Sequence, residues 1–156
     1  MKLLNWIALS TFIFNVSFAI AAPKNSEVKE NQASYSMQNA LTITTQEREM
    51  IIDQNGQALS QFKYKITNNT DKPMANIQWI SVYVHNRQVV YSQDMQLDLE
   101  NTLQPKQSLS LNLQIPSAKI EEKYRPAFLN TQEKIEVYKV ARLIAFSDKT
   151  TLTEKE

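Results

Sequence analysis

Cysteine is absent from this sequence, and glycine and histidine each occur once. Without cysteine the chain has no disulfide, no thiol nucleophile, no cysteine-ligated zinc and no bacterial lipid-anchor cysteine. The single histidine, His85, excludes a metal site built from several histidines. Because Gly56 is the only glycine, a glycine-rich phosphate-binding loop is excluded as well.

An excess of charge of one sign is also lacking. The 156 residues contain 17 lysines and arginines against 16 aspartates and glutamates, and no basic stripe is visible. A nucleic-acid-binding face would need such a stripe. We therefore expect no nucleic-acid partner. The length is sufficient for one domain with an ordinary hydrophobic core.

The N-terminus has the pattern of a secretory signal peptide. A basic start at Met1-Lys2 precedes an uncharged run from Leu3 to Ile20, which ends in Ala19-Ile20-Ala21. We predict that residues 1–21 are removed by signal peptidase. An uncleaved anchor helix is the alternative, because the run approaches the length that spans a bilayer. Cleavage would give a periplasmic or secreted protein without stable membrane insertion, and a cysteine-free protein suits a bacterial periplasm.

The rest of the chain divides into a leader, a domain and a tail. Residues 22–36 contain one valine and one tyrosine, too little apolar surface to order the segment. We predict a flexible leader at residues 22–38, one domain at residues 39–148 and a loose polar tail at residues 149–156.

Within the domain, apolar residues recur at every second position in short runs separated by turn residues. This period is typical of half-buried strands. We predict a single antiparallel, immunoglobulin-like β-sandwich of about seven or eight strands. Asn55-Gly56 indicates a hairpin turn in which Gly56 has a positive φ. The predicted core comprises Ile80, Val82, Val84, Leu109, Leu111 and Leu113, with contributions from Phe62, Tyr64 or Ile66.

A second hairpin with its tip at Asn86-Arg87 predicts the candidate site. Pairing Val84 with Val89 and continuing residue by residue places one side of the hairpin on the core. The other side combines aromatic and small polar residues, a composition favoured at binding surfaces. One alternative is a covering loop at residues 124–129, and another is a one-residue slip that turns the aromatic residues inward. The predicted binding residues are Trp79, Ser81, Tyr83, Val90 and Ser92.

Asn68-Asn69-Thr70 can be interpreted in two ways. It matches the sequon for N-glycosylation in a eukaryotic secretory pathway. It also has the composition of a turn at the end of a strand, since asparagine favours turns. We prefer the turn.

Several of these features together resemble a known family. Tyr64-Lys65-Ile66-Thr67-Asn68 leads into a polar turn ending at Pro73, a long apolar strand follows, and Leu103-x-Pro105-x-x-Ser108 precedes a strand of alternating apolar residues. Over residues 61–116 this pattern resembles exported bacterial immunoglobulin-like domains of the FxLYD type. Residues 85–88 stand where the family has a hairpin turn with Asp and Gly, and Lys106 stands where it has glycine. The resemblance implies a β-sandwich in the cell envelope and no catalytic residues.

Catalytic signatures are weak. His85 lacks a Gly-x-Ser-x-Gly nucleophile turn and lies at the predicted hairpin tip. Asp94 and Asp98 could form a carboxylate pair, but they alternate with apolar residues and fit the solvent face of a strand. We therefore expect no enzyme activity, no cofactor and no metal. The predicted function is a non-catalytic binding module whose partner is another envelope protein, of unknown oligomeric state. The alternatives are a structural or assembly subunit of an envelope complex and a small exported inhibitor or immunity protein.

Overall fold

The turn at Asn55-Gly56 joins the first two strands of the domain. β1 (Leu41–Ile52) and β2 (Ala58–Asn68) are antiparallel, with Ile52 opposite Ala58. Gly56 has φ 76°, a conformation that favours glycine. The carboxylate of Asp53 accepts the backbone N–H groups on either side of this glycine. The predicted hairpin and the predicted positive φ are both confirmed.

The strands form two antiparallel sheets that pack as a sandwich. The computed structural model describes residues 35–154, so the predicted signal peptide at residues 1–21 and most of the predicted leader lie outside it. One sheet has the order β1-β2-β5 and the other the order β4-β3-β6-β7. The predicted antiparallel β-sandwich is confirmed, with seven strands in the described residues. The remaining strands are β3 (Met74–His85), β4 (Gln88–Leu103), β5 (Ser108–Pro116), β6 (Glu136–Phe146) and β7 (Thr151–Thr153).

Helical segments are short. The helix α1 (Met37–Ala40) precedes β1, and α2 (Arg125–Leu129) lies in the connection from β5 to β6. Pro126 lies in the first turn of α2, where its missing N–H costs nothing. No helix within residues 35–154 is long and apolar enough to cross a membrane. Single turns of 3₁₀ helix occur at Ser117–Lys119 and Glu122–Tyr124.

The core lies between the two sheets. Phe62, Tyr64 and Ile66 of β2 are buried there, as is Leu113, and these parts of the prediction are confirmed. Leu109 and Leu111 are half-buried against the core. The prediction was wrong for three residues of β3, which are half-buried on the outer side of their sheet: Ile80, Val82 and Val84.

Arg48 connects β1 to the long segment between β5 and β6. A bulge in β1 between Thr45 and Arg48 shifts the strand register. The Arg48 guanidinium lies 5.8 Å from the centre of the Phe62 ring and donates to the backbone carbonyls of Ala127, Asn130 and Glu133. This side chain therefore holds α2 and its following turn against the sandwich.

Asn68 is buried and fully hydrogen-bonded. Its Nδ2 donates to the carbonyls of Lys72, at 2.8 Å, and Leu103, at 2.9 Å. Its Oδ1 accepts from the N–H and the hydroxyl of Thr70, at 2.9 and 2.8 Å. A glycan could not be attached to this nitrogen in the folded protein. The turn interpretation of the Asn68-Asn69-Thr70 sequence is confirmed.

Both ends of the domain are more ordered than the sequence suggested. Met37, in the predicted leader, is 8% exposed and packs against the core. At the other end, β7 lies in the predicted loose tail, where it pairs with residues 143–145 of β6. The preceding turn needs a positive φ at Lys149, 68°, so the polar composition of this tail concealed a tight hairpin.

Candidate functional site

The hairpin that carries the predicted site has a bulge two residue pairs after its turn. Val84 pairs with Val89, as predicted, but Tyr83 pairs with Tyr91 instead of Val90. Val90 is left without an opposite residue in β3. Because a bulge adds one residue to one strand, every pair beyond it differs by one position from the predicted register.

The bulge places the predicted binding residues on two sides of the sheet. Trp79 is 1% exposed, Ser81 and Tyr83 are 0% exposed, and Val90 is 7% exposed. Only Ser92 is exposed, and it lies opposite Val82 on the outer side. The predicted exposed face was therefore wrong, and the one-residue slip that we considered as an alternative describes the structure. A partner cannot reach the four buried residues in the folded protein.

The buried residues form a hydrogen-bonded network between the two sheets. The Tyr83 and Tyr64 hydroxyls are 2.7 Å apart, and Tyr64 Oη donates to Ser81 Oγ at 3.0 Å. Trp79 Nε1 donates to the same serine oxygen, also at 3.0 Å. Burial raises the pKa of both tyrosines above its ordinary value, so both hydroxyls stay protonated. These polar groups satisfy one another, which explains how they tolerate burial.

The outer side of the four-stranded sheet carries exposed apolar side chains instead. Three cross-strand rows define them. Val84 lies between Val89 and Glu136, Val82 lies between Ser92 and Tyr138, and Ile80 lies between Asp94 and Val140. Val89 is 63% exposed, Tyr138 56% and Val140 40%. We call the following residues the outer patch: Ile80, Val82, Val84, Val89, Tyr138 and Val140.

A second bulge explains why the sequence pattern did not indicate this patch. In an unbroken strand, residues an even number of positions apart face the same side. This spacing relates Tyr138, Val140, Ile144 and Phe146. The register with β3 shifts at Arg142, which is left unpaired. Ile144 and Phe146 are therefore buried inside the sandwich, whereas Tyr138 and Val140 face outward.

The outer side of the three-stranded sheet provides a contrast. Its central strand β2 presents Lys63 and Lys65, both exposed, and the adjacent strand β5 presents Ser110 and Asn112 opposite them. Along residues 61–67 of β2 and residues 108–114 of β5 this face is polar, as expected for a surface in contact with water. The two outer sides of the same sandwich therefore have different compositions.

Charged side chains lie at two edges of the outer patch. Lys134 Nζ lies 2.6 Å from a carboxylate oxygen of Glu136, and the Tyr138 hydroxyl donates to the other oxygen of that carboxylate. This pairing lowers the pKa of Glu136, so its carboxylate stays ionised. Asp94 is exposed on the other edge. The patch thus has an apolar centre and a polar rim, the arrangement found in protein interfaces.

A groove adjoins the patch along the open edge of β6. β7 pairs only with residues 143–145. Residues 136–141 therefore pair with β3 on one side, and residues 136–142 have no described strand on the other. The groove has a volume of about 480 Å³ and separates this edge from α1 and the start of β1. Val140 belongs to both the groove and the outer patch. The groove is also lined by Met37, Leu41, Ile43, Lys139, Ala141 and Glu154.

Lys139 is the lysine of β6 that faces inward. It lies opposite Ser81, whose side chain is buried, so the two side chains share the inner side of the sheet. The Lys139 amine donates to the Val137 carbonyl at 2.9 Å. None of the ion pairs within residues 35–154 includes it. Burial lowers the pKa of this amine, because the charged form has lost part of its hydration.

The residues considered for catalysis do not form a site. His85 lies at the hairpin tip, and Asp94 and Asp98 lie further along β4. His85 is not a solvated turn residue, since its side chain is 14% exposed. Its Nδ1 lies 3.2 Å from the Lys134 carbonyl, and its Nε2 lies 3.0 Å from Asn86 Nδ2. Asp94 and Asp98 lie on the solvent-facing side of β4, as predicted. Residues 35–154 contain no group of three or more His, Asp or Glu placed to hold a metal ion.

Two departures from the FxLYD-type pattern occur at residues with left-handed backbone. Asn86 and Arg87 have φ of 48° and 64°, and Lys106 has φ of 64°. Glycine adopts such conformations most readily. Lys106 thus has a backbone conformation that glycine adopts most readily.

The chain was compared with protein-family models, with curated proteins and with solved structures, and none of the three comparisons gives a match.

Proposed function

We propose that this chain is a non-catalytic binding module of the bacterial cell envelope, periplasmic or secreted, which holds another envelope protein on the outer patch. The exposed apolar side chains on one outer side of the sandwich are the observation that carries the proposal. A contiguous apolar surface with a polar rim is typical of a protein interaction site. The strand order β1-β2-β5 facing β4-β3-β6-β7 supports an immunoglobulin-like sandwich.

The rigidity of the patch also supports binding. Valine and isoleucine have stiff side chains, and those of Ile80, Val82 and Val84 stand on the central strand of the sheet. Tyr138 adds a large ring whose hydroxyl is already held by Glu136. Such side chains lose little conformational entropy when a partner covers them.

The non-catalytic part of the proposal is supported by how the candidate hydroxyls and the histidine are used. The Tyr64, Ser81 and Tyr83 hydroxyls take part in the buried network. Both ring nitrogens of His85 have protein partners. None of these groups is free in a cleft where a substrate could reach it.

Site-specific photo-crosslinking tests the proposal. A photo-reactive residue, p-benzoylphenylalanine, replaces Val89 at the edge of the outer patch in cells of the native host. The control places the same residue at Asn112, exposed on the polar outer side of the other sheet. We expect a discrete crosslinked product with another envelope protein at position 89 and none at position 112.

A second pair of variants checks that the patch itself causes the crosslink. The double substitution Tyr138→Thr and Val140→Thr places β-branched threonine, which suits a strand, at both positions and removes apolar area. It should abolish the crosslink from position 89 while the protein stays folded by circular dichroism. An equal crosslink with the patch intact and with the patch substituted would refute the proposal, as would equal products at positions 89 and 112.

A further inference from the structure

The open edge of β6 has the properties of a strand-addition site. Over residues 136–142 its outward-pointing backbone N–H and C=O groups have no described strand beside them. An extended peptide can form the missing hydrogen bonds, as in known complexes formed by strand addition. β7 pairs with only three residues of β6 and leaves this edge free.

The groove beside this edge determines which side chains the added strand would carry. Residues directly opposite each other on neighbouring strands point to the same side of the sheet. A residue opposite Lys139 would therefore point into the groove, and so would the residues two positions before and after it. The facing wall is mainly apolar. Met37, Leu41 and Ile43 line it together with Gln38 and Thr42.

Lys139 determines the charge of the central residue. Its ammonium group is partly buried and forms no ion pair within residues 35–154. A carboxylate on the added strand would give the Lys139 ammonium a counter-charge. Charge-assisted hydrogen bonds of this kind are strong, and the ammonium is partly shielded from water. Glu154 also lines the groove, but no ion pair joins it to Lys139.

We propose that the partner contributes an extended segment with the pattern apolar, any residue, acidic, any residue, apolar, which adds as a strand to residues 136–142 of β6 with its carboxylate on Lys139. This inference rests on the proposed function for the claim that the chain binds a protein. The pattern reads the same in both directions, so it holds for a parallel or an antiparallel strand. The added strand would extend the outer patch beyond Val140.

A different role for Lys139 makes the opposite prediction. Lysines that point inward from edge strands can prevent unwanted strand pairing, because pairing would bury their charge. Removing such a lysine would strengthen the binding of any extended peptide. Removing a lysine that recognises a carboxylate would weaken the binding of an acidic peptide only. The two roles therefore differ in the sign of one measurement.

The probe is a capped heptapeptide with the sequence Thr-Val-Thr-Glu-Thr-Val-Thr, and its matched control has Gln in place of Glu. A third peptide has the same sequence with N-methyl groups on the backbone nitrogens that would face β6. Binding to the exported chain is measured by titration calorimetry. Amide hydrogen exchange shows whether residues 136–142 gain protection.

We expect the Glu peptide to bind about tenfold more tightly than the Gln peptide, since one charge-assisted hydrogen bond is added. This difference should disappear in Lys139→Met and persist in Lys63→Met, a matched change on the polar outer side of the other sheet. The N-methylated peptide should not bind, and protection should increase in β6. Comparison of the two peptides on the unchanged protein needs no variant and is independent of any folding defect.

Four outcomes would overturn the inference. These are equal affinity of the two peptides, no binding of either peptide, protection outside β6, and tighter binding of both peptides by Lys139→Met. A crosslink from position 89 that depends on the patch, together with any of these results, would leave the proposed function intact and remove only the strand-addition site. If position 89 of the unchanged patch gives no crosslink but the peptides bind as expected, the proposed function would be refuted and the strand-addition site would remain.

Discussion

The two sides of β3 are made of different residues, and each side has the opposite location from the one its composition indicated. Trp79, Ser81 and Tyr83 alternate with Ile80, Val82 and Val84 along one strand. The aromatic residues and the serine are almost completely buried, whereas the β-branched aliphatic residues are only half-buried on the outer side. Residue type alone therefore does not identify the core side of a strand.

The two sides of β3 differ in whether their side chains carry polar atoms that need hydrogen-bond partners when buried. Ser81 is small enough to fit between Trp79 and Tyr64, and its hydroxyl accepts a hydrogen bond from each ring system. A buried aromatic residue with a polar atom needs such a partner. The aliphatic side chains on the outer side have no such need, and their burial against a partner would still be favourable. The inner side therefore satisfies its polar groups within the chain, whereas the outer side leaves aliphatic side chains partly exposed.

Replacement of Trp79 by alanine should have the largest effect on stability. Trp79 is 1% exposed and lies in the core, so Trp79→Ala should lower the free energy of unfolding by about 3–5 kcal/mol. Ile80→Thr, on the outer side, should cost about 1 kcal/mol or less, because threonine keeps the β-branched shape of the strand residue. Urea denaturation measures both. Equal losses would show that the two sides of β3 are not distinguished as described.

Replacement of the two serines should have a smaller effect with the same contrast. Ser81→Ala removes the oxygen that accepts hydrogen bonds from Tyr64 and Trp79. The buried Trp79 N–H then has no partner and the Tyr64 hydroxyl keeps only Tyr83, which should cost about 1–3 kcal/mol. Ser92→Ala changes an exposed residue on the outer side and should stay within about 0.5 kcal/mol of the unchanged protein. If Ser92→Ala were the costlier variant, the serines would have been assigned to the wrong sides.

Local patterns in the sequence were sufficient for the fold class and for the first hairpin. Alternation predicted the sandwich, Asn55-Gly56 predicted the turn, and the asparagine-rich segment at residue 68 was correctly interpreted as structural. These features depend on neighbouring residues, so they can be read without the tertiary structure. The second hairpin tip was also placed correctly, with Val84 opposite Val89.

The candidate site could not be predicted in the same way, because two bulges determine it. The bulge at Val90 changes the register of β4, and the bulge at Arg142 reverses the side on which β6 residues lie. A bulge leaves little trace in a hydrophobic pattern, and each one exchanges the two sides of a strand. The polar network was missed for a related reason. Serine between aromatic residues is typical of a wet surface as much as of a satisfied buried cluster.

Alkaline pH should also separate the two sides of β3, with the smallest effect of the three. Burial raises the pKa of Tyr83, helped by the neighbouring Tyr64, and burial also raises the pKa of Tyr64 and Tyr91. In the unfolded chain these tyrosines ionise near their ordinary pKa of about 10. Below that pH both states hold the protons, and their contribution to stability is complete. Above it the unfolded chain releases protons first, so stability should fall as pH rises.

A matched pair of variants shows whether the buried tyrosines cause this loss of stability at alkaline pH. Lys139 acts in the opposite direction, since burial lowers the pKa of its amine and stability rises as that amine loses its proton. Both variants retain Lys139, so its contribution cancels when they are compared. Tyr83→Phe should flatten the alkaline loss measured by urea denaturation between pH 9 and about 11. Tyr138→Phe, which alters an exposed ring on the outer patch, should keep most of the loss. A loss that disappears in Tyr138→Phe and persists in Tyr83→Phe would place the titrating tyrosine on the outer side and contradict the buried network.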